Sequence, residues 1–294
     1  MGRIIVPAAA GRLAVVSTPI GNLGDLSTRA RDELAAADLI AAEDTRRTGQ
    51  LLATLGLSRP LLSLHEHNES ERIPELIERL VRGARLALVS DAGTPLLSDP
   101  GFELVRQAAA AGVAVFAVPG PSAITAALSI AGLPTERFSF EGFLPARLAE
   151  RRTRLASLAT ETRTLVFFEA PHRILETLAD CSVAFGAQRR AAVARELTKV
   201  YETVYRGTLA ELVARAGEDA NFARGEITVV IEGASPTRED DADGRRELQR
   251  TLQVLLAEMS PSKAAALAVK LTGAKRNDAY LLAQQLAAGV EKES

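Results

Sequence analysis

The first half of the chain collects carboxylates in its loops. "AEDTRRT" (42–48) carries Glu43 and Asp44, "HEHNE" (65–69) carries Glu66, and "VSDAGTPLLSDPG" (89–101) sets two aspartates among glycines and prolines. A carboxylate or a neutral amine held near a hydroxyl can take its proton. Glu43, Asp44, Glu66, Glu169, Glu196 and Lys199 are the groups of that kind beside loop motifs, and the residues alone do not choose among them. Lys199 stands out by scarcity: five lysines face thirty arginines, and the other four lie at 263 or beyond. A lysine where arginine is the habit suggests a compact, deprotonatable amine or a point cation for a phosphate. Arg46, Arg173 and Arg195 offer forked donors that suit phosphate oxygens.

Several chemistries are excluded. Cys181 is the only cysteine, so an internal disulfide and a cysteine metal site are out. His65 and His67 form an H-x-H with no cluster to complete it, and no metal is expected. Pro19 occupies the turn where a dinucleotide fingerprint would begin, and no P-loop motif occurs. No nucleophile elbow is present. The net charge of −2 leaves any nucleic-acid partner to a local patch. The start lacks a secretory pattern and no apolar run reaches a membrane span, so a cytoplasmic protein with no membrane partner is expected.

The elements that must position these groups alternate. Strands are expected at 13–17, 38–43, 61–64, 85–90 and 113–118. Helices fall between them at 27–37, 45–55, 70–82 and 102–111, the pattern of a mostly parallel α/β sheet. After a helix at 122–131, strands at 137–143, 163–169, 191–196, 201–208 and 226–232 follow more closely and point to a mixed sheet. The expected division is an N-terminal α/β domain (1–120), a second α/β domain (121–234), a polar linker (235–246) and a C-terminal helical domain (247–294). In open α/β sheets ligands bind outside the carboxyl ends of the strands. The loops there are polar or rich in Gly and Pro. Main-chain groups at Gly93–Thr94–Pro95 and Gly120–Pro121–Ser122 are expected to be open to a ligand of little phosphate charge.

"TPIGNLGDLS", "AEDTRRT", "HEHNE", "SDAGTPLLSDPG", "VPGPSA", "FEGFLP", "FFEAPHRI" and "RELTKVYE" occur in order across 13–232. Together they resemble the tetrapyrrole methylase superfamily and, within it, the branch acting on small-subunit ribosomal RNA. The tail at 260–283 fits as well. The resemblance implies two α/β domains with a cofactor cleft between them, plus a small C-terminal helical domain. It implies an S-adenosylmethionine-dependent enzyme that methylates the ribose 2′-hydroxyl of a cytidine in small-subunit rRNA, usually as a homodimer acting on rRNA or the 30S particle. The implied cofactor residues are Pro19, Ile20, Gly93, Thr94, Pro95, Leu97, Ser122, Ala123, Ile124, Phe168, Glu169, Ala194, Gly225 and Glu226. For catalysis, Lys199, Glu196, Glu43 and Glu66 are the foremost candidates. For RNA, the candidates are Arg46, Arg173 and Arg195, with Lys263, Lys270, Lys275 and Arg276 in the tail. The alternatives are a corrin or uroporphyrin methyltransferase, which the polar loops disfavour, and a non-catalytic RNA-binding protein on this fold.

Overall fold

The computed structural model describes residues 11–235 and 238–290, the side chains of 238–244 and 288–290 excepted. The chain forms two compact units, Met1–Gly233 and Ala234–Ser294.

The first unit holds two five-stranded sheets. The first has the order β3-β2-β4-β1-β5 and is parallel throughout. Its strands are β1 (Arg12–Val16), β2 (Leu39–Ala42), β3 (Leu61–Ser63), β4 (Arg85–Val89) and β5 (Ala114–Val118). Side chains alternate along a strand, so each face gets its own core. Leu13, Leu39, Ala41, Leu86 and Leu88 pack against α3 (Glu69–Val81) and α4 (Phe102–Ala110). Ala14, Val16, Ile40, Ala42, Ala87 and Val89 turn to α1 (Thr28–Ala36) and α2 (Thr45–Thr54). Both faces are covered, so the strands read as unbroken apolar runs. Leu34 of α1 is fully buried, and its truncation to alanine costs about 2–5 kcal/mol.

Helix α5 (Ala123–Ala131) leads to the second sheet, of order β6-β7-β10-β8-β9. Its strands are β6 (Phe138–Phe143), β7 (Thr164–Glu169), β8 (Arg190–Arg195), β9 (Thr203–Thr208) and β10 (Ile227–Ile231). Only β6 and β7 run parallel; the other pairs are antiparallel, giving the mixed sheet that close strand spacing implies. Three helices that the strand pattern left unread, α6 (Leu148–Ser157), α7 (Ile174–Phe185) and α8 (Leu209–Glu218), cover one face. α5 covers the other through Ile124, Ala127 and Leu128 on Val166, Ala192, Ala194 and Val230.

The second unit contains α9 (Arg238–Leu256), α10 (Pro261–Thr272) and α11 (Arg276–Val290), around a small core that includes Leu248, Leu252, Ala264, Ala268, Ala279 and Ala283. The stretch expected as a linker, 235–246, is already helical from Arg238. Beyond Pro236 it has no proline, and arginine and glutamate are good helix formers. Among the described residues no helix is long and apolar enough to cross a membrane.

Candidate active site

The loops leaving β1, β4 and β5 are tied to one another before they can hold anything else. Thr18 and Gly93 exchange both backbone hydrogen bonds, at 2.8 and 3.0 Å. The Ser17 and Thr94 hydroxyls lie 2.9 Å apart, and Thr94 Oγ1 donates to the Pro121 carbonyl at 3.1 Å. The expectation that the Gly93 main chain is open to a ligand is therefore corrected: its N–H and C=O are both spent on Thr18. What Gly93 provides is space. Its φ of +83° is the left-handed region, and a Cβ there would stand 3.3 Å from Ile20 Cγ2. Thr94 is a brace between loops, and Pro95 is buried.

Beyond this stitched edge lies a cleft of about 420 Å³. The parallel sheet contributes Ile20, Glu43, Arg47, Asp91, Ala92, Ser98 and Asp99. Ala123 of α5 and, from the mixed sheet's side, Phe143, Phe168, Glu169, Leu197, Gly225, Glu226 and Thr228 add to the lining. Of the residues expected at a cofactor, Ile20, Ala123, Phe168, Glu169, Gly225 and Glu226 meet here. Ser122 lines a second, more open hollow of about 400 Å³ with Thr125, Ser129 and Thr198, and Ile20 borders both. Ile124 and Ala194 are buried in the apolar core, and Leu97 is exposed in the loop after β4. Pro19 is half-buried in the exit from β1.

On the parallel-sheet side three carboxylates stand together. The Asp91 N–H donates to Glu43 Oε2 at 3.3 Å, and the Asp44 N–H to Asp91 Oδ1 at 2.9 Å. Arg47 approaches Asp91 at 3.4 Å. Burial pushes the Glu43 carboxyl up, and the Asp91 charge adds to this against the Asp91 N–H and Arg47. Burial likewise pushes Asp99 up to about 6, with Glu43 and Asp91 adding and the Ser90 hydroxyl opposing. Among the described residues, no three such side chains converge as metal ligands do. Asp44 itself faces away from this trio. It caps α2 and is gripped by the Arg46 guanidinium, which with the Arg46 N–H holds it at about 2.

On the mixed-sheet side the charges are paired. Lys199 Nζ lies 2.9 Å from Glu196 Oε1 and 3.2 Å from Glu226 Oε2. The Glu226 N–H also donates to Glu196 Oε1, at 2.9 Å. Two glycines make room for this. A Cβ at Gly21 would fall 2.3 Å from Lys199 Cγ, and one at Gly225 would fall 2.3 Å from Glu196 Cδ. Burial opposes the Lys199 charge, but the two glutamates outweigh it and raise the amine's pKa. Of the two roles expected for Lys199, deprotonatable amine or point cation, the raised pKa favours the cation. Glu196 is lowered by the Glu226 N–H and by Lys199, which leaves it a weak proton acceptor.

Other expectations are corrected by burial. Arg195 is 8% exposed and donates to the Tyr201 carbonyl at 3.1 Å, closing the β8–β9 turn. Arg173 donates to the Leu144 and Pro145 carbonyls at 2.7 and 3.0 Å and stands by Glu169. Both guanidinium groups are internal clamps, whereas Arg46 is outside but paired. Glu169 is itself fully committed, accepting from Thr177 Oγ1 at 2.6 Å and from the Ala170 N–H at 2.7 Å. Glu66 is exposed in the loop after β3 and does not line the cleft. Lys263, Lys270, Lys275 and Arg276 are exposed on α10 and α11 or between them. Sequence reading noted the two aspartates of this loop but did not make Asp91 or Asp99 a candidate. Their signal was two acids in the loop after a central parallel strand.

The family model described as Tetrapyrrole (Corrin/Porphyrin) Methylases matches residues 12–213, and the RsmI C-terminal HTH domain matches 242–287. The chain is 54% identical over 270 residues to a Ribosomal RNA small subunit methyltransferase I of Xylella fastidiosa strain Temecula1, covering 92% of this chain and 98% of that one. It is 52% identical over 277 residues to the protein of that name from Pseudomonas aeruginosa, covering 94% and 98%. Among solved structures, a uroporphyrin-III-C-methyltransferase from Thermus thermophilus superposes with a TM-score of 0.54 at 20% identity, over 76% of this chain and 94% of that one. The methyltransferase CobJ does so with 0.56 at 20%, over 76% and 95%. At that identity the likeness is one of fold.

Proposed function

This chain belongs to the tetrapyrrole methylase family, and from that premise we propose that it transfers a methyl group from S-adenosylmethionine to the ribose 2′-hydroxyl of a cytidine in small-subunit ribosomal RNA. The observation that carries this reading is identity above 50% along nearly the whole chain with proteins named ribosomal RNA small subunit methyltransferases. The match of the C-terminal helices to the RsmI C-terminal HTH domain supports it.

The cleft suits the methyl donor. A sulfonium is a cation without phosphate, and Glu43 and Asp91 offer negative charge with no phosphate cradle. The same acids would repel the carboxylate rim of a tetrapyrrole, which disfavours the corrin reading. When bound, S-adenosylmethionine supplies a methyl group already activated by its sulfonium. Ile20, Ala123, Phe168, Leu197, Gly225 and Glu226 would hold it. Phe168 is propped by Phe140 and Phe143, with ring centroids 4.9 and 5.7 Å away, so its ring presents a fixed wall. Held alignment of hydroxyl and methyl carbon can supply roughly 7–11 kcal/mol of the rate enhancement. In the second unit, Lys263, Lys270, Lys275 and Arg276 would meet RNA phosphates, within a particle docked by a homodimer of this chain.

The test is to map 2′-O-methylation on small-subunit rRNA from cells with and without this protein. Loss of one cytidine methylation supports the reading; an unchanged map refutes it.

A further inference from the structure

We propose that Asp99 accepts the proton of the attacking ribose hydroxyl, held for that role by the backbone of its own loop. This rests on the methyl-transfer reading above and adds the residue that the residue pattern left unchosen.

Three observations converge on Asp99. It lines the cleft together with Phe143 and Phe168 of the facing sheet. The loop delivering it is strained: Leu96 and Ser98 have φ of +73° and +71°. The left-handed region costs a side-chain-bearing residue about 1–2 kcal/mol, and such conformations persist where the surroundings over-determine them. The surroundings do so here. Thr94 is braced at one end, and Gly101 N–H donates to Glu69 Oε1 at 2.6 Å at the other. In between, Ser98 packs at Gly142, where a Cβ would approach Ser98 Oγ to 3.0 Å, at an irregularity in β6. The third observation is the contrast in commitments. Asp44, Glu169 and Glu196 each hold at least two donors. Asp91 holds the Asp44 N–H and Arg47, and Glu43 holds the Asp91 N–H. Among the described residues Asp99 has no basic partner; its one stated donor is the Ser90 hydroxyl, which leaves carboxylate lone pairs for a substrate hydroxyl. The charged groups sharing its cleft are Glu43, Arg47, Asp91, Glu169 and Glu226.

In the step, the O–H bond breaks and its proton passes to a carboxylate oxygen of Asp99. The electron pair left on oxygen forms the new bond to the methyl carbon, and the carbon–sulfur pair returns to sulfur as a neutral thioether. Asp99 then gives its proton to solvent. A base that titrates near 6 is ionised at neutral pH and stronger than an ordinary aspartate.

The test uses the full chain, S-adenosylmethionine and 30S particles lacking the modification. Single-turnover rates of the wild type should fall about tenfold per pH unit below about 6. Asp99→Asn should be roughly 100- to 10,000-fold slower, with that acidic limb gone, while calorimetry finds its S-adenosylmethionine affinity within about threefold of wild type. Carboxyl NMR of the ¹³C-aspartate-labelled chain, without substrate, should show one resonance titrating near 6 that Asp99→Asn removes. Glu43→Gln should move that resonance and the kinetic limb to lower pH. The proposal is overturned by near-wild-type turnover in Asp99→Asn. It is also overturned by a limb that vanishes in Glu43→Gln but survives in Asp99→Asn, which makes Glu43 the base. A collapse of donor affinity in Asp99→Asn makes Asp99 a binding residue and overturns it too. Wild-type protein that methylates no ribose fails at the first measurement, before any variant, and refutes the parent reading along with this one.

Discussion

Carboxylates stand on both sides of the cleft under opposite conditions. On the parallel-sheet side Glu43, Asp91 and Asp99 crowd one another, with Arg47 at 3.4 Å from Asp91 as their cation, and Glu43 and Asp99 are pushed up. On the mixed-sheet side Lys199 sits between Glu196 and Glu226, and Glu196 is pushed down. The residue types are the same; the neighbours decide. Protonation chemistry belongs to the side where charge is under-compensated, and shape to the side where it is matched. The two sides also oppose each other in stability. A carboxyl raised in the fold contributes stability below its unfolded pKa and loses it as pH rises through the folded value. A lowered one contributes above its unfolded pKa and loses it as pH falls.

The harshest break of the comparison is Gly225→Val. It forces a branched residue into φ of +75° and against the Glu196 carboxylate. A loss of about 2–4 kcal/mol in urea unfolding is expected, while the Asp99 resonance stays near 6. If both sides change together, they are not independent. Next comes the stability of Asp99→Asn. Removing a carboxyl raised to about 6 should stabilise the protein at pH 8 by about 1–2 kcal/mol, allowing for screening in an open cleft, and by nothing at pH 4. Urea titrations at the two pH values read this directly, and a loss at pH 8 would mean that the carboxylate is a structural partner. Lys199→Met should do the reverse. It converts the matched side into an under-compensated one, destabilises by about 1 kcal/mol at pH 7, and converges with wild type as pH falls through the lowered Glu196 value. Smallest for the fold is neutralising Lys263, Lys270, Lys275 and Arg276 to glutamine. Unfolding should stay within about 0.5 kcal/mol, yet each lost phosphate contact should flatten the salt dependence of RNA binding by roughly 0.7–0.9.

Much of the scaffold was legible because it follows a period. The apolar runs at 38–43 and 85–90 became β2 and β4 to within a residue or so, and Ser27 caps α1 as its type suggests. Helices α6 to α8 went unread beside eye-catching strands, α7 and α8 although they are rich in apolar residues and α6 because its apolar positions are sparse. The first, for instance, is "LAERRTRLAS" with Arg151 turned inward onto Asp180 at 2.8 Å. At the site, the loops were legible and the partners were not. Nothing local in "ARELTKVYE" says that Lys199 meets Glu226, or that Gly21 and Gly225 clear its path. Gly93 looked open because its partner, Thr18, is 75 residues back in the chain. Asp99 was noted but not singled out, because a loop aspartate before proline is ordinary turn chemistry until the facing sheet encloses it.

The Thr18–Gly93 exchange has a consequence for how the protein assembles. The two amides join chain segments that meet only after β1 has found β4 across the intervening β2 and β3 units. Such long-range closure is slow and comes late. On the proposed reading, a methyl donor bound beside that bridge would read the completed sheet, and its binding energy would be distributed to the whole unit by mass action. Hydrogen exchange at Thr18 and Gly93 should accordingly follow the opening of the entire sheet, with loop fluctuation contributing little. The donor should slow both amides by the same factor as those at the centre of β4, so the mouth of the cleft is as durable as its floor.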